Sequence, residues 1–156
     1  MERNIMNFGK TRGNAALPSA IAYVRGGADA PRLVGTVKFY QMRGHVVVEA
    51  EICGLPSANT SGFFGFHIHD GGSCSGEGFS DTGSHYNPSG DEHPRHAGDL
   101  PPLLSSRGCA YMAVATDRFS VSDIIGKTVV IHSLPDDFTT QPAGNAGKKI
   151  ACGEIV

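Results

Sequence analysis

The sequence carries few charges: 18% of its 156 residues are Asp, Glu, Lys or Arg, against about 25% in an average soluble domain. Net charge is -2 with neutral histidines, and no Lys/Arg run is present. Nothing therefore attracts nucleic acid or an anionic membrane in bulk, and neither is expected as a partner. No apolar stretch approaches the ~20 residues that span a bilayer. No window shows a helical period flanked by caps. Cysteine is sparse as well. Cys53, Cys74, Cys109 and Cys152 lack the paired C-x-x-C spacing of a zinc ribbon and permit three full pairings, among which spacing does not choose. A chain of this length does not depend on disulfides to fold. Met1 to Pro18 lack a continuous apolar core and do not read as a signal peptide. A polar, poorly ordered leader is expected over residues 1–18, then one domain over 19–156, and the missing signal favours the cytoplasm over export.

What is abundant is glycine, with 21 residues, alongside 9 prolines. Glycine at that level breaks helices and supplies tight turns, which favours a loop-rich, all-β chain. Period-two alternation recurs in short runs. Leu33, Val37 and Phe39 share one face opposite Thr36 and Lys38, and Val46, Val48, Ala50 and Ile52 oppose Glu49 and Glu51. Similar runs occur at Ala20–Val24, Ala110–Thr116 and Thr128–His132. The reading is an antiparallel sandwich or barrel of short strands. Two stretches break the pattern, Asp70 to Arg107 and Ser133 to Lys148. Structureless connections longer than ~12–15 residues inside a compact domain are usually functional or disordered. Six of the seven histidines lie in or beside these two, which favours function.

In Phe66-His67-Ile68-His69, alternate residues of a strand share a face. His67 and His69 project together while Phe66 and Ile68 enter the core. On this motif alone, half of a metal site and a pair of surface histidines are equally compatible. His85, His93, His96 and Asp99 then fall within one loop, and three imidazoles with a carboxylate match a closed tetrahedral zinc site. Such a loop has to be organised by something, and a metal would supply that free energy. His132 ends the strand Thr128–Ile131 and adds another imidazole, followed by Asp136 and Asp137. His45 stands alone near a turn and needs no functional reading.

At this point the sequence resembles the copper/zinc superoxide dismutases, from about Leu33 to the C-terminus. The motifs that carry the resemblance are G-F-H-I-H at Gly65–His69, G-S-H-Y-N-P at Gly83–Pro88 and H-A-G-D-L at His96–Leu100, followed by I-G-K-T-V-V-I-H at Ile125–His132, D-D at Asp136–Asp137 and G-N-A-G-K-K-I-A-C-G at Gly144–Gly153. The resemblance implies a Greek-key β-sandwich or flattened barrel with two long functional loops. It implies copper on His67, His69, His85 and His132, and zinc on His85, His93, His96 and Asp99, with His85 bridging the metals. Asp136 would hydrogen-bond one ligand of each metal. Cys74 and Cys152 would form the family's disulfide, worth roughly 4–5 kcal/mol in the chain-entropy model, which would suit an oxidising compartment. Cys53 and Cys109 are expected to be buried free thiols. The implied activity is dismutation of superoxide by copper cycling between Cu(II) and Cu(I), with His85 and Lys149 as catalytic residues, in a monomer or homodimer. The alternative is a non-catalytic copper/zinc-binding protein on the same fold.

Two positions depart from the family pattern. His93 and His96 are separated only by Pro94 and Arg95, where the family has a longer spacer. The loop must turn more sharply, which singles out His93 and leaves a three-ligand zinc site as an alternative. Lys149 stands where the family has the arginine at the mouth of the copper channel. Lysine keeps the charge, worth roughly 3 kcal/mol on an anion ~5 Å away at an effective dielectric of 20, but loses the rigid two-pronged donor.

Overall fold

Residues 17–156 are described by a computed structural model; nearly all of the expected leader over residues 1–18 lies outside them. The alternating runs become strands. Strands β1 (Ala20–Gly26), β2 (Val34–Met42) and β3 (His45–Cys53) form an antiparallel meander. Val37, Phe39, Val46, Val48 and Ala50 are completely buried, because residues two apart share one face and that face covers the core. Short strands β4 (Phe63–Phe64) and β6 (Leu103–Leu104) pair with each other and add Phe64 and Leu103 to the core. β5 (Phe66–His69), β7 (Cys109–Thr116), β8 (Thr128–His132) and β9 (Lys149–Glu154) complete a seven-stranded sheet in the order β5-β8-β9-β1-β2-β3-β7. β9 returns from the far end of the chain to lie beside β1, the Greek-key return. The sheet curls into a half-barrel, so the fold is all-β.

Among the described residues, helix is confined to one turn, α1 (Val121–Ile124), and a kinked 3-10 segment at Glu77–Thr82. The one-turn helix has a legible signal: Ser120 and Asp123 have capping-box spacing, and the Ser120 amide donates to the Asp123 carboxylate at 2.8 Å. Cys53 and Cys109 are not buried free thiols. They sit directly opposite each other on β3 and β7, both exposed, and are joined in a disulfide. Alternation puts them on the outer face of the sheet, since their strand neighbours Ile52 and Ala110 point inward. The sulfurs of Cys74 and Cys152 are also bonded, tying the first long loop to β9.

Candidate metal centre

The site begins at the free edge of β5. That strand is at the end of the sheet, so one side of its backbone would be unpaired. The first long loop covers it. The amide of Ile68 donates to the Gly98 carbonyl at 2.9 Å, and the amide of Tyr86 donates to the Ile68 carbonyl at 2.8 Å. The Asp70 amide donates to Ser84 at 2.9 Å. The loop is thus laid along β5 as two isolated bridges, His69 opposite His85 and His67 opposite Asp99. His132 arrives from the other side, because β8 pairs with β5. A bulge between Ile131 and His132 shifts the β8–β9 register and sets Lys149 opposite His132.

Two clusters result, sharing His85. In His67, His69, His85 and His132 one ring nitrogen of each lies within 4.8 Å of the others, and the same holds for one ring nitrogen each of His85, His93 and His96 with a carboxylate oxygen of Asp99. All of these side chains, with Asp136, are less than a tenth exposed. His45 lies apart, partly exposed at the start of β3.

Hydrogen bonds decide which nitrogen of each ring is bare. Asp136 accepts His67 Nε2 on one oxygen at 2.7 Å and His93 Nε2 on the other at 2.8 Å. Both Nδ1 atoms are buried without a hydrogen-bond partner among the described residues. His69 Nδ1 donates to the Gly83 carbonyl at 3.0 Å, and His132 Nδ1 faces the Gly147 carbonyl at 3.4 Å. Their bare Nε2 atoms meet at 3.2 Å. His85 turns an unpartnered Nε2 towards the first cluster and places Nδ1 2.8 Å from Asp99 Oδ1. His93 Nδ1 and His96 Nδ1 lie 3.1 and 3.3 Å from Asp99 Oδ2.

The electrostatics agree with this assignment. Burial holds His67 below its ordinary range, and burial reinforced by neighbouring rings pushes His69 down to about 2 and His132 to about 3. All three rings are neutral at physiological pH, the state in which imidazole binds metals. Burial works to raise Asp136, yet hydrogen bonds from His67, the Phe138 amide and His93 bring it to about 2. Asp99 is likewise held low, against its burial, by His85 and the adjacent rings. Buried ring nitrogens left without hydrogen-bond partners are costly unless a cation sits among them. The donors fit such an ion: four nitrogens in one cluster, three nitrogens and a carboxylate in the other.

The second loop closes over this centre where Gly144 passes at φ +67°; a Cβ there would collide with Asp136 Oδ1 and His93 Nε2. Only glycine takes that conformation and that proximity together. Lys149 Nζ lies 2.8 Å from both Thr82 Oγ1 and the Gly83 carbonyl. Gly83 also accepts from His69, so the ammonium is one shared carbonyl away from the first cluster. Two contributors carried no sequence signal: Arg118 and Gln141, which hold the backbone around His93, Pro94, His96 and Asp99.

The class so defined is an all-β protein with a buried histidine centre of two clusters, each of which could hold a metal ion. The family model of copper/zinc superoxide dismutases matches residues 33–155. The chain is 33% identical over 138 residues to "Superoxide dismutase [Cu-Zn] 2" of Aquifex aeolicus, covering 79% of each chain. It is 33% identical over 135 residues to "Extracellular superoxide dismutase [Cu-Zn]" of Rattus norvegicus, covering 80% of this chain and 55% of the rat protein. The chain belongs to the copper/zinc superoxide dismutase family. Among the described residues no helix is long and apolar enough to cross a membrane.

Proposed function

We propose that this chain disproportionates superoxide, 2 O2•− + 2 H+ → O2 + H2O2. The observation that carries the reading is the pair of four-donor clusters joined through His85, and the names of the relatives support it. His67, His69, His85 and His132 would hold copper; His85, His93, His96 and Asp99 would hold zinc. Bound copper would supply the one-electron change between Cu(II) and Cu(I), and zinc a fixed charge.

The chain's own residues do the rest. Asp136 fixes the tautomer and orientation of one ring in each cluster, through its two oxygens. His85 places Nδ1 against Asp99, and its Nε2, which faces the first cluster, is the atom that would take up and return a proton when it is not held by a metal. Lys149 supplies a positive charge held in place by neutral acceptors, whereas Lys148 faces Asp29 at 3.4 Å and is offset. Lys149 therefore draws the anion, and its tether to Thr82 and Gly83 restores part of the positional definition that arginine would bring.

Two disulfides, together with a relative named as extracellular, favour an oxidising compartment over the cytoplasm. The alternative, a non-catalytic copper/zinc-binding protein on the same fold, draws on lysine at position 149. A dismutation assay on protein reconstituted with copper and zinc separates the two. Turnover that depends on copper supports the enzyme; full metal content without turnover leaves the binding protein.

A further inference from the structure

We propose that Arg118 and Gln141 form an external clamp that holds the short His93–Asp99 turn in metal-binding geometry; the inference rests on the zinc reading of that cluster. Both are positioning residues, acting on backbone rather than on ligand atoms.

The turn cannot satisfy its own backbone. Only Pro94 and Arg95 separate His93 from His96, and Pro94 has no amide hydrogen. Internal bonds run from the Arg95 amide to Glu92 at 2.8 Å, from the Asp99 amide to His96 at 3.1 Å, and from the His96 amide to Asp99 Oδ2 at 3.1 Å. Among the described residues, the carbonyls of His93, Pro94 and Asp99 find no backbone donor. The His93 and Asp99 carbonyls are part-buried, where an unpaired carbonyl is costly, while that of Pro94 is exposed. Side chains from two other segments provide partners. Arg118, in the turn after β7, directs Nη1 to Pro94 at 3.0 Å, His96 at 3.2 Å and Asp99 at 3.3 Å. Gln141, in the second long loop, donates through Nε2 to the His93 carbonyl at 2.7 Å and accepts the His93 amide on Oε1 at 3.0 Å.

The division of labour follows from these contacts. Asp136 aims the His93 ring, Gln141 fixes the His93 backbone, and Arg118 fixes the carbonyls of Pro94, His96 and Asp99. His93 Nδ1 and His96 Nδ1 stay free of hydrogen bonds, so the clamp competes with no ligand atom. A longer spacer could fold its own turns; this short one borrows donors from outside.

The test uses the full-length protein and reads zinc directly, by competition with a chelator and by the visible spectrum of Co(II) bound in place of zinc. Arg118→Leu and Gln141→Leu are each expected to lower zinc affinity about 10- to 100-fold, as loss of groups that orient ligands does, and to weaken the tetrahedral Co(II) bands. Copper retention should be unchanged. Arg118→Lys should recover much of the loss, since an ammonium also offers several donors. Should a leucine variant fail to fold, Arg118→Gln and Gln141→Asn, whose donors stop short of the carbonyls, are expected to show the same zinc defect. Wild-type zinc affinity in the folded variants would overturn the clamp. A wild-type chain that holds copper but no zinc would instead overturn the zinc reading, and the clamp with it.

Discussion

The Nε2 atoms of His69 and His132 face each other across 3.2 Å, each bare because its ring turns Nδ1 to a carbonyl. Two lone pairs aimed at one point are the signature of a cation site. The same contact makes the metal-free protein sensitive to acid.

Burial pushes His69 down to about 2 and His132 to about 3, whereas both titrate near 6.5 in an unfolded chain. Below that value the unfolded state binds protons that the native state refuses, so stability falls as pH drops from about 6.5 towards 3. Each ring contributes a slope of up to ~1.4 kcal/mol per pH unit. Asp136, held at about 2, adds a loss that begins below about pH 4. Urea midpoints of the metal-free protein should decline between about pH 7 and pH 4. An unchanged midpoint would show that these rings are not held neutral.

Metal analysis after reconstitution should find one copper and one zinc per chain, from the seven ligand side chains that share His85. His93→Ala should lower zinc retention at least about tenfold while sparing copper. Asp136→Asn should weaken both metals, since one carboxylate orients a ligand in each cluster. Unaltered zinc in His93→Ala would mean that the short turn leaves His93 outside a three-ligand site.

Lys149→Glu should depress the dismutation rate strongly, because attraction of the incoming anion becomes repulsion. Lys149→Arg should raise it modestly by adding a second prong. The wild-type rate should fall with added salt as the Debye length shrinks from ~30 Å at 0.01 M to ~10 Å at 0.1 M. Metal content has to be matched among the variants. Equal rates for Lys149→Glu and wild type at low salt would remove Lys149 from substrate guidance.

The two disulfides should differ in their resistance to reduction. Cys53 and Cys109 are exposed on the sheet, while Cys152 is 3% exposed. A small thiol should therefore open Cys53–Cys109 first, since exchange needs in-line access to a sulfur. Alkylation of freed thiols followed by peptide mapping reads the order. Earlier labelling of Cys74 and Cys152 would contradict it.

The strands and their buried faces were legible because alternation is a local property: Val37, Phe39, Val46 and Val48 declare one face whatever surrounds them. The histidines stood out as candidate ligands because imidazole-rich loops have few other uses, and their motif order resembles one family. What the tertiary structure alone decided depends on atoms brought together from distant segments. No spacing shows that Cys53 lies opposite Cys109; that follows from β7 returning beside β3. No motif marks Arg118 or Gln141, since an exposed arginine and an amide become functional only where a tight turn lacks donors. The bulge that sets Lys149 against His132 likewise belongs to strand register, which pairing between segments determines and a single segment does not.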